Sequence, residues 1–146
     1  MTFEIHPKIG FGPLCLGMAR PKIESILGAP VATGQVNGII DCVYRFDIMA
    51  SYRNDTVMRL SAGHRSTGIT YKGIDVFKAD PLEVLRMFER NLGPVFEVGS
   101  VILFYRVGMS LGGFHNPDLA DRSITMDDPH GWDFAVDRMN PITFLK

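Results

Sequence analysis

The chain has 146 residues, of which 46% are apolar and 21% charged, enough to bury a core without a disulfide or a structural metal. Fifteen basic residues oppose sixteen acidic ones, for a formal charge of -1, which excludes a broad basic nucleic-acid footprint. No apolar run approaches the roughly 20 residues that span a bilayer. Glu4 and Pro7 interrupt the start of the chain, where a secretion signal needs an unbroken apolar stretch. These features predict a cytoplasmic protein with no membrane partner. Cys15 and Cys42, set among apolar residues, read as reduced core thiols.

Gly and Pro are spread along the chain, so its elements should be short. Pro21 fits the first turn of a helix in which Ile23, Ile26 and Leu27 share one face, and Gly28-Ala29-Pro30 stops it. Gln35 to Gly38 is turn-like. Asp41 to Phe46 alternates as a strand, with Cys42, Tyr44 and Phe46 on one face. Ala50 to Asp55 fits a strand or a turn, and Thr56 to Ser61 a strand. Ile69 to Tyr71 and Ile74 to Phe77 are strands too close for a parallel crossover.

Asp80 and Pro81 are a capping residue and a first helical residue. The helix that follows should bury Leu82, Leu85, Met87, Phe88 and Leu92 and end at Gly93-Pro94. Val95 to Val98 and Val101 to Val107 flank Gly99-Ser100, a link that suits a type II′ hairpin. Met109 to Asp121 reads as a loop, Arg122 to Met126 as a strand, Asp127 to Gly131 as a turn and Trp132 to Val136 as a last strand. The predicted fold is a single α+β domain over residues 1–146, with two principal helices packed on one face of an antiparallel sheet. Tyr44, Phe46, Leu85, Phe88, Leu103 and Tyr105 are its expected core.

The two helical segments share a plan. Arg20-Pro21 leads to Leu27-Gly28-Ala29-Pro30 and a strand holding Tyr44-Arg45; Asp80-Pro81 leads to Leu92-Gly93-Pro94 and a strand holding Tyr105-Arg106. This predicts a duplicated helix-plus-sheet unit, over 12–77 and 78–136. Gly17-Met18, Ile23, Leu27-Gly28 and Pro30 resemble the helical motif of the SmpA/OmlA outer-membrane assembly lipoprotein family, with Ala19 in place of the usual threonine and no lipobox cysteine near the start. The β-lactamase-inhibitor proteins are similar to two such units in tandem. The resemblance covers about a fifth of the chain and implies a protein-binding scaffold, with no catalytic residue to carry over.

No motif for a cofactor appears: Gly10 and Gly12 do not form a phosphate-binding loop, and no histidine pair has metal-ligand spacing. Arg45, Arg59 and Arg106 lie on predicted strands beside Tyr44 and Tyr105. Alternation turns each tyrosine away from its neighbouring arginine, so no base-stacking platform is expected. The polar residues concentrate in the last third, where residues 109–146 hold six aspartates against Arg122, Arg138 and Lys146. There, Phe114, His115, Asp118, Asp121, Asp127, Asp128 and His130 form the candidate site. The favoured function is a non-enzymatic protein-binding module, an inhibitor or immunity protein that neutralises a bacterial toxin. Its acidic segment would steer a partner with a basic surface. The alternative is a small metal-dependent or general-base enzyme, or a ligand-binding protein. There, His115 or His130 would act as base beside Asp118 or Asp121.

Overall fold

Alternation and tight turns, more than helical periodicity, shape this chain. The computed structural model describes residues 2–66, 68–114 and 119–145. Strands β1 (Phe3–His6), β2 (Gly10–Phe11) and β3 (Leu14–Cys15) precede helix α1 (Arg20–Leu27). After it come β4 (Ala32–Val36), β5 (Ile39–Tyr44), β6 (Ile48–Arg53) and β7 (Thr56–Gly63). β8 (Ile69–Tyr71) and β9 (Ile74–Asp75) lead to helix α2 (Pro81–Leu92). Then follow β10 (Val95–Val98), β11 (Val101–Phe104), β12 (Met109–Gly112), β13 (Ser123–Asp127) and β14 (Asn140–Ile142).

Nine strands form one sheet in the order β14-β10-β11-β12-β13-β7-β6-β5-β4, and five form a smaller sheet in the order β3-β2-β1-β8-β9. Every pairing in the large sheet is antiparallel. The small sheet contains one parallel pair, β1 with β8. The predicted α+β architecture of two helices on an antiparallel sheet is thereby corrected. The protein is mostly β, with two sheets and helices of only 8 and 12 residues. Several strands carry little sequence signal, β12 and β4 among them. β12 was taken for loop because Gly112 and Gly113 follow Met109-Ser110-Leu111, yet it pairs with both β11 and β13. The turn-like reading of Gln35 to Gly38 overlaps the end of β4, whose residues are all exposed, so that neither face is buried.

The order helix, hairpin, 3-10 turn, strand, strand occurs twice. α1 is followed by β4–β5, a turn at Arg45–Asp47, then β6 and β7; α2 is followed by β10–β11, a turn at Tyr105–Val107, then β12 and β13. β7 pairs with β13, Ser61 opposite Thr125, and joins the two meanders into one sheet. The Gly99-Ser100 link has positive φ at glycine alone, as a type II′ turn requires. The predicted alternation through Phe46 stops at Tyr44, because Phe46 has φ 67 inside the 3-10 turn. Phe46 is only partly buried.

One face of the large sheet carries the core. Cys42, Tyr44, Ile48, Ala50, Leu60, Ala62, Met126 and Phe104 are buried there, with Ile23 and Leu27 of α1 and Val84, Leu85 and Phe88 of α2 in the same apolar cluster. Leu82, expected in the stripe, is 42% exposed, and Val84 is buried instead. Asp80 caps α2 by accepting a hydrogen bond from the Glu83 N–H at 3.1 Å. α1 has no side-chain cap. It is fastened instead by a polar chain: Arg20 Nε donates to Glu24 Oε2 (3.0 Å), Tyr44 Oη donates to the same oxygen (2.8 Å) and Tyr44 meets Tyr52 Oη at 2.6 Å.

Two predictions follow from this packing. Phe88 is fully buried, its ring 5.1 Å from Tyr71 and 5.8 Å from Phe104 between centroids. Phe88→Ala should cost about 3–5 kcal/mol in urea unfolding; a loss under about 1 kcal/mol would contradict its role as a core anchor. The second concerns pH. Burial alone would raise the Glu24 carboxyl, but the donated bonds of Tyr44 and Arg20 hold it below its ordinary value of 4.5. Burial pushes Tyr52 up to about 12. A depressed carboxyl stabilises above its unfolded pKa and loses that contribution as pH falls; a raised phenol stabilises below about 10 and loses it as pH rises. The urea midpoint should therefore decline below about pH 4.5 and above about pH 10, with Glu24→Gln making the acid limb shallower and Tyr44→Phe combined with Tyr52→Phe the alkaline one, since burial raises the Tyr44 phenol as well.

Candidate functional site

The face of the large sheet turned away from the core is polar. Register places Asp127, Arg59, Ser51 and Asp41 in one row across β13, β7, β6 and β5, and Ser110, Thr125, Ser61 and Met49 in the next. Ser61 Oγ and Thr125 Oγ1 lie 2.9 Å apart, Arg59 Nε donates to Asp127 Oδ1 at 2.8 Å, and Ser51 Oγ donates to Asp41. The carboxylate of Asp127 is nearly buried, so its charge is held by a real partner. These side chains satisfy one another within the sheet plane.

The 3-10 segment Pro129–Arg138 borders this face. Asp128 starts it by accepting from the His130 N–H at 2.9 Å. Its Ala135 is fully buried, as is Leu103, whose side chain points away from the main core. Among the described residues, three cavities adjoin the segment, and one of them, of 200 Å³, is lined by Tyr105, Arg106, His130 and Asp133. Another, of 390 Å³, is lined by Met49, Arg59, Ser61, Thr125, Trp132 and Phe134 among others, and the third, of 530 Å³, by Leu16, Arg53, Met58, Arg59, Asp127 and Asp128 among others. Arg59, Asp127 and Gly131 line both of the larger two. Trp132 and Phe134 stack with centroids 5.9 Å apart and planes 18° apart, and Phe134 is 70% exposed.

A second small cluster fixes the segment at its other side. Tyr105 Oη donates to Asp133 Oδ1 and His130 Nδ1 lies 3.1 Å from Asp133 Oδ2. The bonds from Tyr105 and then from His130 hold the Asp133 carboxyl below its usual range. His130 and Asp133 are largely exposed. The strand expected over Trp132 to Val136, after a turn at Asp127 to Gly131, is instead part of one 3-10 segment that includes both His130 and Asp133. Three residues per turn bring the two side chains together.

The described residues of the predicted site do not form one constellation. Phe114 is buried against Phe77, centroids 6.1 Å apart, with the Arg122 guanidinium 5.9 Å from its ring centre. Gly113 turns it inward. It has φ 72, and a Cβ there would lie 2.2 Å from the Asp121 carbonyl oxygen. Asp121 is exposed. Asp127 is paired with Arg59, Asp128 caps the 3-10 segment, and His130 pairs with Asp133. His115 and Asp118 lie outside the described residues. Among the described residues, no group of three His, Cys, Asp or Glu side chains is placed to hold a metal ion. Arg59, Tyr105, Trp132 and Asp133 were missed as site residues. The acidic bias around 127–137 was the signal that pointed nearest to them.

No family model and no curated protein matches the chain. A cysteine-rich secretory protein from Staphylococcus aureus has a similar fold, with a TM-score of 0.57 at 10% identity. The superposition covers 100% of this chain and 56% of that one, so this chain spans little more than half its length. At that identity the likeness extends to the fold alone. Both cysteines here, Cys15 and Cys42, are free thiols. No described helix is long and apolar enough to cross a membrane.

The Tyr105–Asp133–His130 chain should act as a clamp on the 129–138 segment. Asp133→Asn removes the charge that both neighbours bond. Hydrogen exchange should then quicken in residues 129–138 while the strands β6, β7 and β13 keep their protection. Unchanged exchange in the segment would show that Ala135 burial alone holds it.

Proposed function

We propose that the chain is a non-enzymatic protein-binding module of the inhibitor or immunity class, acting in the cytoplasm, and that it engages its partner through the 129–138 segment and the adjoining sheet face. The observation that carries this reading is the stacked Trp132–Phe134 pair at the rim of a groove, with Phe134 70% and Val136 52% exposed. Aromatic side chains beside a cavity are among the residues that dominate protein interfaces. Asp128, Asp133 and Asp137 are exposed around them. That arrangement suits a protein partner with an apolar contact patch and a basic rim, and the charges would raise the encounter rate. The free thiols accord with a reducing compartment.

His130 and Asp133 border a cavity of 200 Å³ with Tyr105 and Arg106, and their bonds to one another and to Tyr105 fasten the binding segment.

The test is site-specific photo-crosslinking in the native cell. A photoreactive residue at Phe134 should capture one protein of defined mass, and the same residue at exposed Lys22 on α1 should not. Against that purified protein, Phe134→Ala should weaken binding at least about thirtyfold, as expected for an interface anchor. An identical adduct pattern from both positions, or no adduct from Phe134, would overturn the reading.

A further inference from the structure

The two edges of the nine-stranded sheet are finished differently. β10, the strand that follows α2, is covered by β14, which carries Pro141 and so presents a weakened edge of its own. β4, the strand that follows α1, occupies the corresponding place in the first half. Among the described residues, no strand pairs with its outer side. All five of its residues, Ala-Thr-Gly-Gln-Val, are exposed and none is charged. Val31 just before it is 72% exposed and Val36 is 67% exposed. The devices that usually blunt a sheet edge, lysine, proline or an inward charge, are missing from this strand.

We propose that β4 pairs antiparallel with β4 of a second copy of this chain, about a two-fold axis at Gly34. The hydrogen-bond parity sets the register. Asn37 and Gly38 close the β4–β5 hairpin with φ of 53° and 78°, the signature of a two-residue type I′ turn. Val36 and Ile39 flank that turn and form a hydrogen-bonded pair. Alternation then directs the backbone groups of Val36, Gly34 and Ala32 toward β5, and those of Thr33 and Gln35 outward. An antiparallel partner bonds through reciprocal pairs of outward residues. The register that uses both sets Thr33 against the partner's Gln35 and Gln35 against the partner's Thr33, giving four backbone hydrogen bonds by symmetry.

The same register places Gly34 against the partner's Gly34 and Ala32 against the partner's Val36. No side chains clash there and no like charges meet. A one-residue slip breaks the parity. A second copy fits better than an unrelated strand because the segment complements itself in sequence, in parity and in the absence of charge. Its five residues cover far less than the roughly 1,000 Å² of a stable interface. The dimer is therefore weak and forms at high protein concentration.

Sedimentation equilibrium of the full chain, up to about 1 mM, should show the mass rising from 16.3 kDa toward twice that value. Thr33→Lys with Gln35→Lys sets lysines directly opposite one another in both reciprocal pairs, and should weaken association about tenfold or more with an unchanged circular dichroism spectrum. Cysteine cross-linking reads the register. A Cβ at Gly34 meets nothing within 4 Å, and facing residues of a non-hydrogen-bonded pair stand about 4.5 Å apart between Cα atoms. In a Cys15→Ser background, Gly34→Cys should oxidise readily to a covalent dimer, and Val36→Cys, which faces the partner's Ala32, should not. A monomer mass at every concentration, an association indifferent to the two lysines, or equal cross-linking from both cysteine positions would each overturn the proposal.

Discussion

The pairing of β7 with β13 is the contact on which the rest of the structure depends. Five residue pairs, from Ser123–Gly63 to Asp127–Arg59, join two separate meanders into one sheet. Both faces of this seam are consolidated, but by different physics. On the inner face Leu60, Ala62, Ile124 and Met126 are fully buried and bring the two halves into one core. On the outer face the Ser61–Thr125 hydroxyl contact and the Arg59–Asp127 ion pair fill the polar surface. Without the seam, each half would expose a long strand edge and the inner face of four strands.

The seam also explains where the candidate binding surface lies. Arg59 and Asp127, which face each other across it, line the two larger cavities beside the 129–138 segment. The groove is therefore a property of the joined sheet and of neither half alone. The segment can lie there because β13 ends at Asp127 and Asp128 immediately caps the 3-10 turn. Strand, cap and aromatic pair follow within eight residues, so the placement of Trp132 and Phe134 is tied directly to the strand that forms the seam.

Much of the local structure was legible. α2 could be read from the Asp80-Pro81 cap and the spacing of Leu85, Phe88 and Leu92, and the Val98–Val101 hairpin from Gly99-Ser100. The balance of the fold was not, because short strands built from mixed residues carry little periodic signal. Met109-Ser110-Leu111-Gly112 is central in the sheet and almost wholly buried, yet it reads as loop from its glycines. Phe3-Glu4-Ile5-His6 alternates over only four residues, too short a run to stand out beside the Glu4 and Pro7 that interrupt the start of the chain. At the site, the acidic composition drew attention to the correct stretch. The grouping failed because His130 and Asp133 meet only in a 3-10 turn, and because the partner of Asp127 is Arg59, 68 positions away. Phe114 is among the residues grouped as the candidate site, whereas the left-handed turn at Gly113 puts it in the core.

The seam has a further meaning for how the chain reaches its native state. Ser61 and Thr125 are 64 positions apart, so this contact closes a loop of nearly half the sequence, whereas the β6–β7 hairpin beside it closes over two residues. Non-local strand pairing of this kind slows folding. As the chain leaves the ribosome, the first helix and its four strands are complete well before β13 has been synthesised, at roughly 5–20 residues per second. During those seconds β7 is an open edge with Leu60 and Ala62 uncovered, and it is the segment most exposed to pairing with a neighbouring nascent chain. The strand that unites the finished protein is thus also its point of greatest vulnerability during synthesis.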